Sequence, residues 1–160
     1  MLSLTDLRDV IVRPVLERLG LHSPSAECLL LGTALAESGC TSLRQNGGPA
    51  LGLFQMEPAT HDDIARAFLA FRPSLKSAVA ALAAPWPQGA AQLATNPAYA
   101  AAFCRLSYLR APPPLPEPEA ADGMARYWKA FYNTPLGRGD PARFMALYAD
   151  RILPLYVKES

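Results

Sequence analysis

Residues Leu29 to Thr60 have the sequence LLLGTALAESGCTSLRQNGGPALGLFQMEPAT, and the interpretation of the whole chain starts from this stretch. It begins as an apolar helical run that ends at an acid, Glu37, just before Gly39. A loop rich in glycine and other turn residues then leads to a short apolar segment that ends at Gln55. A carboxylate at a helix end, beside such a loop, is a candidate for acid chemistry.

Glu37 falls in the last turn of a helix predicted over about residues 25–38. Ser23 supplies the N-cap, Pro24 follows it, and Gly39 ends the helix. At this end the helix dipole disfavours an ionised carboxylate, and apolar neighbours such as Leu30 add a desolvation penalty, so both effects raise the pKa. A carboxylic acid that stays protonated near neutral pH can protonate a glycosidic oxygen. The alternative is a solvated helix-end Glu without a role.

The residues around Glu37 form a recognisable pattern. Glu37-Ser38 is followed by Gly52-Leu53-Phe54-Gln55, and then by Pro58 and Thr60. This pattern resembles the signature of the soluble lytic transglycosylase family, which has the lysozyme-like fold. In that signature Gly-Leu-Met-Gln begins fifteen positions after the Glu, as it does here with Phe54 in place of Met. Further along, Ala130-Phe131-Tyr132-Asn133 is similar to the family's Ala-x-Tyr-Asn element.

The resemblance implies a function for Glu37 as the sole acid and base. It would protonate the bond between N-acetylmuramic acid and N-acetylglucosamine, and then accept the proton of the muramyl 6-hydroxyl as that oxygen attacks. Ser38 would hold the cleft together by hydrogen bonding, and Gln55 would lie opposite Glu37. The other predicted substrate-binding residues are Phe54, Tyr132 and Asn133, with no cofactor and no metal. For Tyr132 an ordinary core aromatic is an equal alternative.

The sequence offers no obvious second acid beside Glu37. A hydrolysing glycosidase usually needs two carboxyl groups about 5 to 10 Å apart. Glu57 is the nearest in the signature, but capping of the following helix explains it, and Asp62 and Asp63 have the same explanation. The resemblance implies a peptidoglycan lytic transglycosylase, and the single carboxyl group favours this lyase over a hydrolase. The alternatives are a hydrolytic muramidase of the endolysin type, and a non-catalytic lysozyme-like protein that binds the wall or belongs to a virion.

The composition of the chain argues against several other classes of function. The 160 residues and 51% hydrophobic content fit one domain, residues 1–160. The 15 basic and 14 acidic residues leave a net charge of +1 without a basic block, which argues against nucleic-acid binding. Three cysteines without a CxxC spacing argue against a disulfide framework and a zinc site, although a pair between Cys28 and Cys40 stays open for an exported protein.

The first ten residues, MLSLTDLRDV, contain neither a secretory signal nor a membrane anchor. We therefore expect synthesis in the cytoplasm and no membrane insertion. Access to the cell wall would then require a holin or packaging in a virion. The expected partners are peptidoglycan glycan strands and, for a virion component, other phage virion proteins.

The rest of the chain predicts an all-α, lysozyme-like domain of about seven to eight helices with little or no β-structure. Helices are predicted over residues 3–19, 25–38, 60–71, 73–84, 97–110, 119–132 and 141–156. Pro14 should bend the first, and Thr60 with Asp63 should cap the third. Trp86 between two prolines is predicted to plug the core, with stacking on a sugar face as the alternative. Residues 111–119 are a stiff polyproline-like connection, whereas residues 39–51 are either a hairpin or an irregular cleft wall.

Overall fold

The computed structural model describes residues 1–134 and 137–157, and over these residues the chain is all-α, as predicted. The helices are α1 (residues 4–19), α2 (Pro24–Ser38), α3 (Pro58–Ala67), α4 (Pro73–Leu82), α5 (Gln92–Thr95), α6 (Pro97–Leu109), α7 (residues 121–133) and α8 (residues 141–152). Short 3₁₀ turns occupy Leu69–Phe71, Gly89–Ala91 and Leu153–Tyr156. Within the described ranges, β-type pairing is confined to two isolated bridges.

Helices α2 and α6 form the centre of the core. Both are apolar on nearly all faces, and a helix of that composition is stable only when other elements surround it. In α2 every residue from 26 to 35 is buried. Thr33 and Tyr108 join the two helices through a buried hydroxyl-to-hydroxyl hydrogen bond of 2.7 Å. Gly32 lets α8 approach closely, since a Cβ there would lie 2.9 Å from the ring of Phe144.

The predicted ends of α2 are confirmed to within a residue. The Ser23 side chain accepts a hydrogen bond from the Ala26 N–H, and Pro24 occupies the first turn. At the other end Gly39 takes a left-handed conformation with φ of 61°, and its N–H donates to the carbonyl of Leu35. The capping residues at the two ends of α2 therefore place Glu37 in its last turn.

Over residues 1–134 and 137–157, three helices contain π-helical segments, whose turns are wider than α-helical turns. They are Leu7–Val12 in α1, Lys129–Asn133 in α7 and Tyr148–Ile152 in α8. The first lies directly before Pro14, where the sequence predicted a bend. Because proline has no N–H and crowds the preceding turn, a wider turn accommodates it within one continuous helical stretch.

Several local predictions are wrong. Helix α3 begins at Pro58, so Thr60 and Asp63 do not form its capping box, and Glu57 occupies the cap position. Trp86 does not plug the core, because its side chain is 82% exposed. For residues 39–51 the sequence left a hairpin and an irregular wall open, and the structure has the irregular wall, which continues to residue 57 with isolated bridges from Leu51 to Arg44 and to Met56. The sequence also predicts a turn at residues 135–139, from Pro135 and the glycines at 137 and 139, and this turn lies partly outside the described residues.

The proline-rich connection is held against the helices by two tyrosines. Tyr127 donates a hydrogen bond of 2.9 Å to the carbonyl of Pro113, and Tyr148 donates one of 2.6 Å to that of Pro118. Both bonds satisfy carbonyls that an extended segment cannot pair internally. In the described part of the chain, all three cysteines are free and buried. No described helix combines the length and the apolar character that crossing a bilayer requires.

A buried carboxylate ties the two ends of the described chain together. Glu27 is only 2% exposed and accepts hydrogen bonds from Arg13 Nε at 2.7 Å and from the hydroxyl of Tyr156. Burial raises its pKa, but the bonds from Arg13, Tyr156 and His22 together outweigh burial, so the pKa stays below its usual range. Nearby, Arg8 donates to the carbonyl of Leu155. The 3₁₀ turn that follows α8 is thus bonded to α1 and α2.

Candidate functional site

A cleft of about 600 Å³ lies beside the C-terminal end of α2. Glu37, Gln55 and Tyr132 all line it, although the first and last lie 95 positions apart in the chain. The sequence predicted this convergence, and the structure confirms it. Asn133 and Glu57 lie on the same cleft, and residues 137–140 complete its rim.

Ser38 connects the helix that carries Glu37 to the loop that carries Gln55. Its hydroxyl donates a 2.6 Å hydrogen bond to the carbonyl of Leu53 and also approaches the carbonyl of Ala34 at 3.1 Å. The same oxygen accepts from the Cys40 N–H at 3.1 Å. Because these partners occupy the hydroxyl, Ser38 fixes the shape of the cleft, which is the role that the motif implied for it.

Glu37 is half-buried, and desolvation raises the pKa of its carboxyl above the ordinary value. Hydrogen bonds from Trp128 and Asn133, and the charge of Lys129, act in the opposite direction but do not cancel the effect. The upward direction agrees with the sequence prediction, with burial as its main cause. A carboxyl in this state can hold a proton at the edge of a cleft and release it there.

Trp128 is a site residue that sequence reasoning missed. Its indole Nε1 donates a 3.0 Å hydrogen bond to Oε1 of Glu37, and its ring stacks on Phe144 with centroids 4.9 Å apart. The available signal was its position, one helical turn before Tyr132 and therefore on the same face of α7. The bond fixes the direction in which the carboxyl of Glu37 points.

Replacing Trp128 by Phe is expected to raise the pKa of Glu37 further. The indole N–H favours the ionised carboxylate, so its loss favours the protonated form, whereas the Phe ring keeps the stacking on Phe144. Titration of the Glu37 carboxyl carbon by NMR measures the shift. Trp86→Phe is the matched control, because the exposed Trp86 lines no part of the cleft. An unchanged or lower pKa in Trp128→Phe would contradict this account.

Tyr132 packs against the core and also lines the cleft. Its ring stacks on Tyr108 at 5.2 Å, and its hydroxyl donates a 2.6 Å bond to the carbonyl of Phe54. Asn133 is fixed as well, since its Oδ1 accepts from Lys129 Nζ at 2.8 Å and from the Gly139 N–H at 3.1 Å. Hydrogen bonds therefore hold both Tyr132 and Asn133 in place at the cleft.

Phe54 and Gln55, which are adjacent in the motif, have different environments. The Phe54 side chain is 1% exposed and packs in the core, so it does not lie on the cleft surface where a substrate contact was expected. Gln55 does line the cleft, with a left-handed backbone (φ of 49°) and a 2.8 Å bond from its Nε2 to the carbonyl of Gly52. Of the two, only Gln55 can reach a ligand through its side chain.

Of the three other acids near the motif, Glu57, Asp62 and Asp63, only Glu57 lies on the cleft. Glu57 precedes α3, but its side chain makes no capping bond, and it lies exposed on the same cleft as Glu37. The capping explanation is therefore wrong for this residue. Asp62 instead contacts His61, and Asp63 pairs with Arg110 at 2.8 Å, outside the cleft. In the described part of the chain, no three His, Cys, Asp or Glu side chains cluster closely enough to hold a metal ion.

The cleft contains one carboxyl group of raised pKa, Glu37, the hydrogen-bonded side chains of Tyr132 and Asn133, and a second carboxylate, Glu57. Comparison with known proteins finds no matching family model, no matching curated protein and no matching solved structure. The resemblance to lytic transglycosylases therefore depends on the motif residues alone.

Proposed function

We propose that this protein cleaves the β-1,4 bond between N-acetylmuramic acid and N-acetylglucosamine in peptidoglycan, by a lytic transglycosylase mechanism. The observation that carries the proposal is the position of Glu37, half-buried at the edge of a cleft that Gln55 and Tyr132 also line. A cleft of about 600 Å³ is within the size range of small-molecule sites and accommodates a few sugar units.

The mechanism needs one carboxyl group. Protonated Glu37 gives its proton to the glycosidic oxygen while the bond from that oxygen to C1 of the muramyl sugar breaks. The substrate's own N-acetyl oxygen stabilises the positive charge at C1. The Glu37 carboxylate then accepts the proton of the 6-hydroxyl as O6 bonds to C1, which gives a 1,6-anhydromuramyl end and returns Glu37 to its protonated form. Trp128 orients the carboxyl through both steps.

A muramidase is the second candidate, and Glu57 is the observation that favours it. Its carboxylate is exposed on the cleft and free of a capping role. In that mechanism Glu57 takes a proton from water, the water oxygen attacks C1, and Glu37 protonates the leaving oxygen. The product is then a reducing muramyl end that carries one oxygen from water.

The ends of the cleaved strands distinguish the two mechanisms. We expect digestion of purified peptidoglycan in ¹⁸O-labelled water to give 1,6-anhydromuramyl ends without label, measured by mass spectrometry. We also expect Glu57→Gln to keep most of the activity, because the lyase mechanism does not use this carboxylate. Labelled reducing ends, together with loss of activity in Glu57→Gln, would replace the lyase by the muramidase. Absence of any cleavage would leave the lysozyme-like wall-binding or virion protein as the remaining interpretation.

A further inference from the structure

A second, shallower pocket of about 480 Å³ adjoins the Glu37 cleft. The two share Ala36, Glu37, Gln45, Gln55 and Arg143, so the pocket is continuous with the cleft. Arg44 lines only the pocket, from the irregular wall formed by residues 39–57. Two arginines from distant parts of the chain therefore face one recess.

These arginines are available to bind a ligand. Neither forms an ion pair with any described acidic residue. The guanidinium of Arg143 is placed at the pocket wall by a 3.3 Å hydrogen bond from Nη1 to the carbonyl of Ala36, which leaves its other donors unused. The backbone of Arg44 is fixed by the bridge to Leu51.

We infer that this pocket binds a carboxylate carried by the glycan substrate. A guanidinium group matches a carboxylate in a planar, two-bonded geometry, and the hydroxyl of Ser42 and the amide of Asn46 offer further donors on the same lining. The chain as a whole carries a net charge of only +1, so the attraction is local to the pocket. Glu37 also lines this pocket, and in its protonated state it does not repel an anion.

The inference rests on the proposed function and specifies its substrate. Uncharged polymers of N-acetylglucosamine contain no carboxylate. Peptidoglycan has two sources: the carboxyl groups of the stem peptides, and the lactyl carboxyl of a muramyl sugar from which the peptide has been removed. The arginines would therefore favour muramyl-containing strands over neutral glycans in the same cleft.

The test measures binding rather than turnover, so it does not depend on catalysis. The protein is titrated calorimetrically in the Glu37→Gln background with three soluble ligands: intact glycan strands, amidase-treated strands and neutral N-acetylglucosamine oligomers. The variant Arg44→Gln/Arg143→Gln is expected to bind the carboxylate-bearing strands about tenfold more weakly and the neutral oligomers with unchanged affinity. Arg18→Gln/Arg126→Gln removes the same charge from exposed sites that line neither pocket, and it should leave all three affinities unchanged.

The ligands whose affinity falls in Arg44→Gln/Arg143→Gln identify the carboxylate that the pocket binds. A loss confined to intact strands assigns the pocket to stem-peptide carboxylates, and a loss confined to amidase-treated strands assigns it to the lactyl carboxylate. An equal loss on the neutral oligomers, or no loss on any ligand, overturns the inference while leaving glycan binding intact. If Glu37→Gln with both arginines present binds none of the three ligands, the proposed function itself fails.

Discussion

Glu37→Gln is expected to reduce the rate of peptidoglycan cleavage by at least about 100-fold, the typical contribution of general acid–base catalysis. Glutamine cannot donate a proton to the leaving oxygen or accept one from the 6-hydroxyl. Its amide oxygen can still accept the hydrogen bond from Trp128, so the geometry of the cleft should persist. Glu17→Gln is the matched control, because Glu17 is exposed on α1 and lines neither pocket. Full activity in Glu37→Gln would defeat both enzymatic mechanisms.

Glu37→Gln is expected to stabilise the folded protein relative to the wild type as the pH rises. Because the pKa of Glu37 is raised in the folded protein, the folded state binds a proton that the unfolded state releases. The free energy of unfolding therefore falls as the pH rises from the ordinary pKa of a glutamate through the raised one. The free energy of unfolding of Glu37→Gln does not fall in this way, because glutamine does not titrate. The melting temperature of the variant minus that of the wild type should therefore increase across that pH range. An advantage that is constant with pH would contradict the raised pKa.

Gly52→Ala is expected to lower the free energy of unfolding by about 3 kcal/mol, from a strained backbone and a steric overlap together. Gly52 has φ of +81°, which disfavours a side chain, and an added Cβ would lie 2.0 Å from the carbonyl oxygen of Leu93. Because that oxygen belongs to the backbone of α5, the loop and the helix have to separate. Urea unfolding measures the loss.

Gly47→Ala separates the two causes. Gly47 has a similar φ of +72°, but an added Cβ there meets nothing within 4 Å. Gly47→Ala should therefore lower the free energy of unfolding by the backbone strain alone, about 1 kcal/mol. Equal losses in the two variants would mean that the contact with Leu93 contributes nothing to stability.

The loop around Gly52 contributes both to the stability of the fold and to the position of Gln55 at the cleft. Gly52 packs against α5, the carbonyl of Leu53 accepts from Ser38, and the carbonyl of Phe54 accepts from Tyr132. Three consecutive residues are thus attached to three different helices, and Gln55 follows at the cleft. The backbone of this loop therefore connects the three helices, while the Phe54 side chain packs in the core and Gln55 lies on the cleft.

The sequence predicted features that depend on local chemistry. The cap at Ser23 and the left-handed Gly39 set the ends of α2, so the predicted position of Glu37 in the last turn is correct. Convergence of Glu37, Gln55 and Tyr132 was also predicted, but from the resemblance of spaced motifs, since no local rule brings residues 95 positions apart together.

The failures depend on packing between distant residues. Whether Trp86 is buried depends on which elements cover it, and no described element does. Trp128 meets Glu37 because α7 packs against the end of α2, which its own periodicity does not reveal. For Glu57 a position before a helix was correctly recognised, but position alone does not show whether a side chain makes the capping bond.

The buried carboxylate of Glu27 has a consequence for the timing of folding during synthesis. Its bond to Tyr156 joins residues 129 positions apart, and the bond from Arg8 to Leu155 spans 147. While the ribosome is still producing the intervening chain, Glu27 has Arg13 and His22 as partners but lacks the tyrosine hydroxyl. Such distant contacts close late and slowly. We therefore expect Glu27 to gain the hydrogen bond from Tyr156 only after the C-terminal part of the chain has left the ribosome.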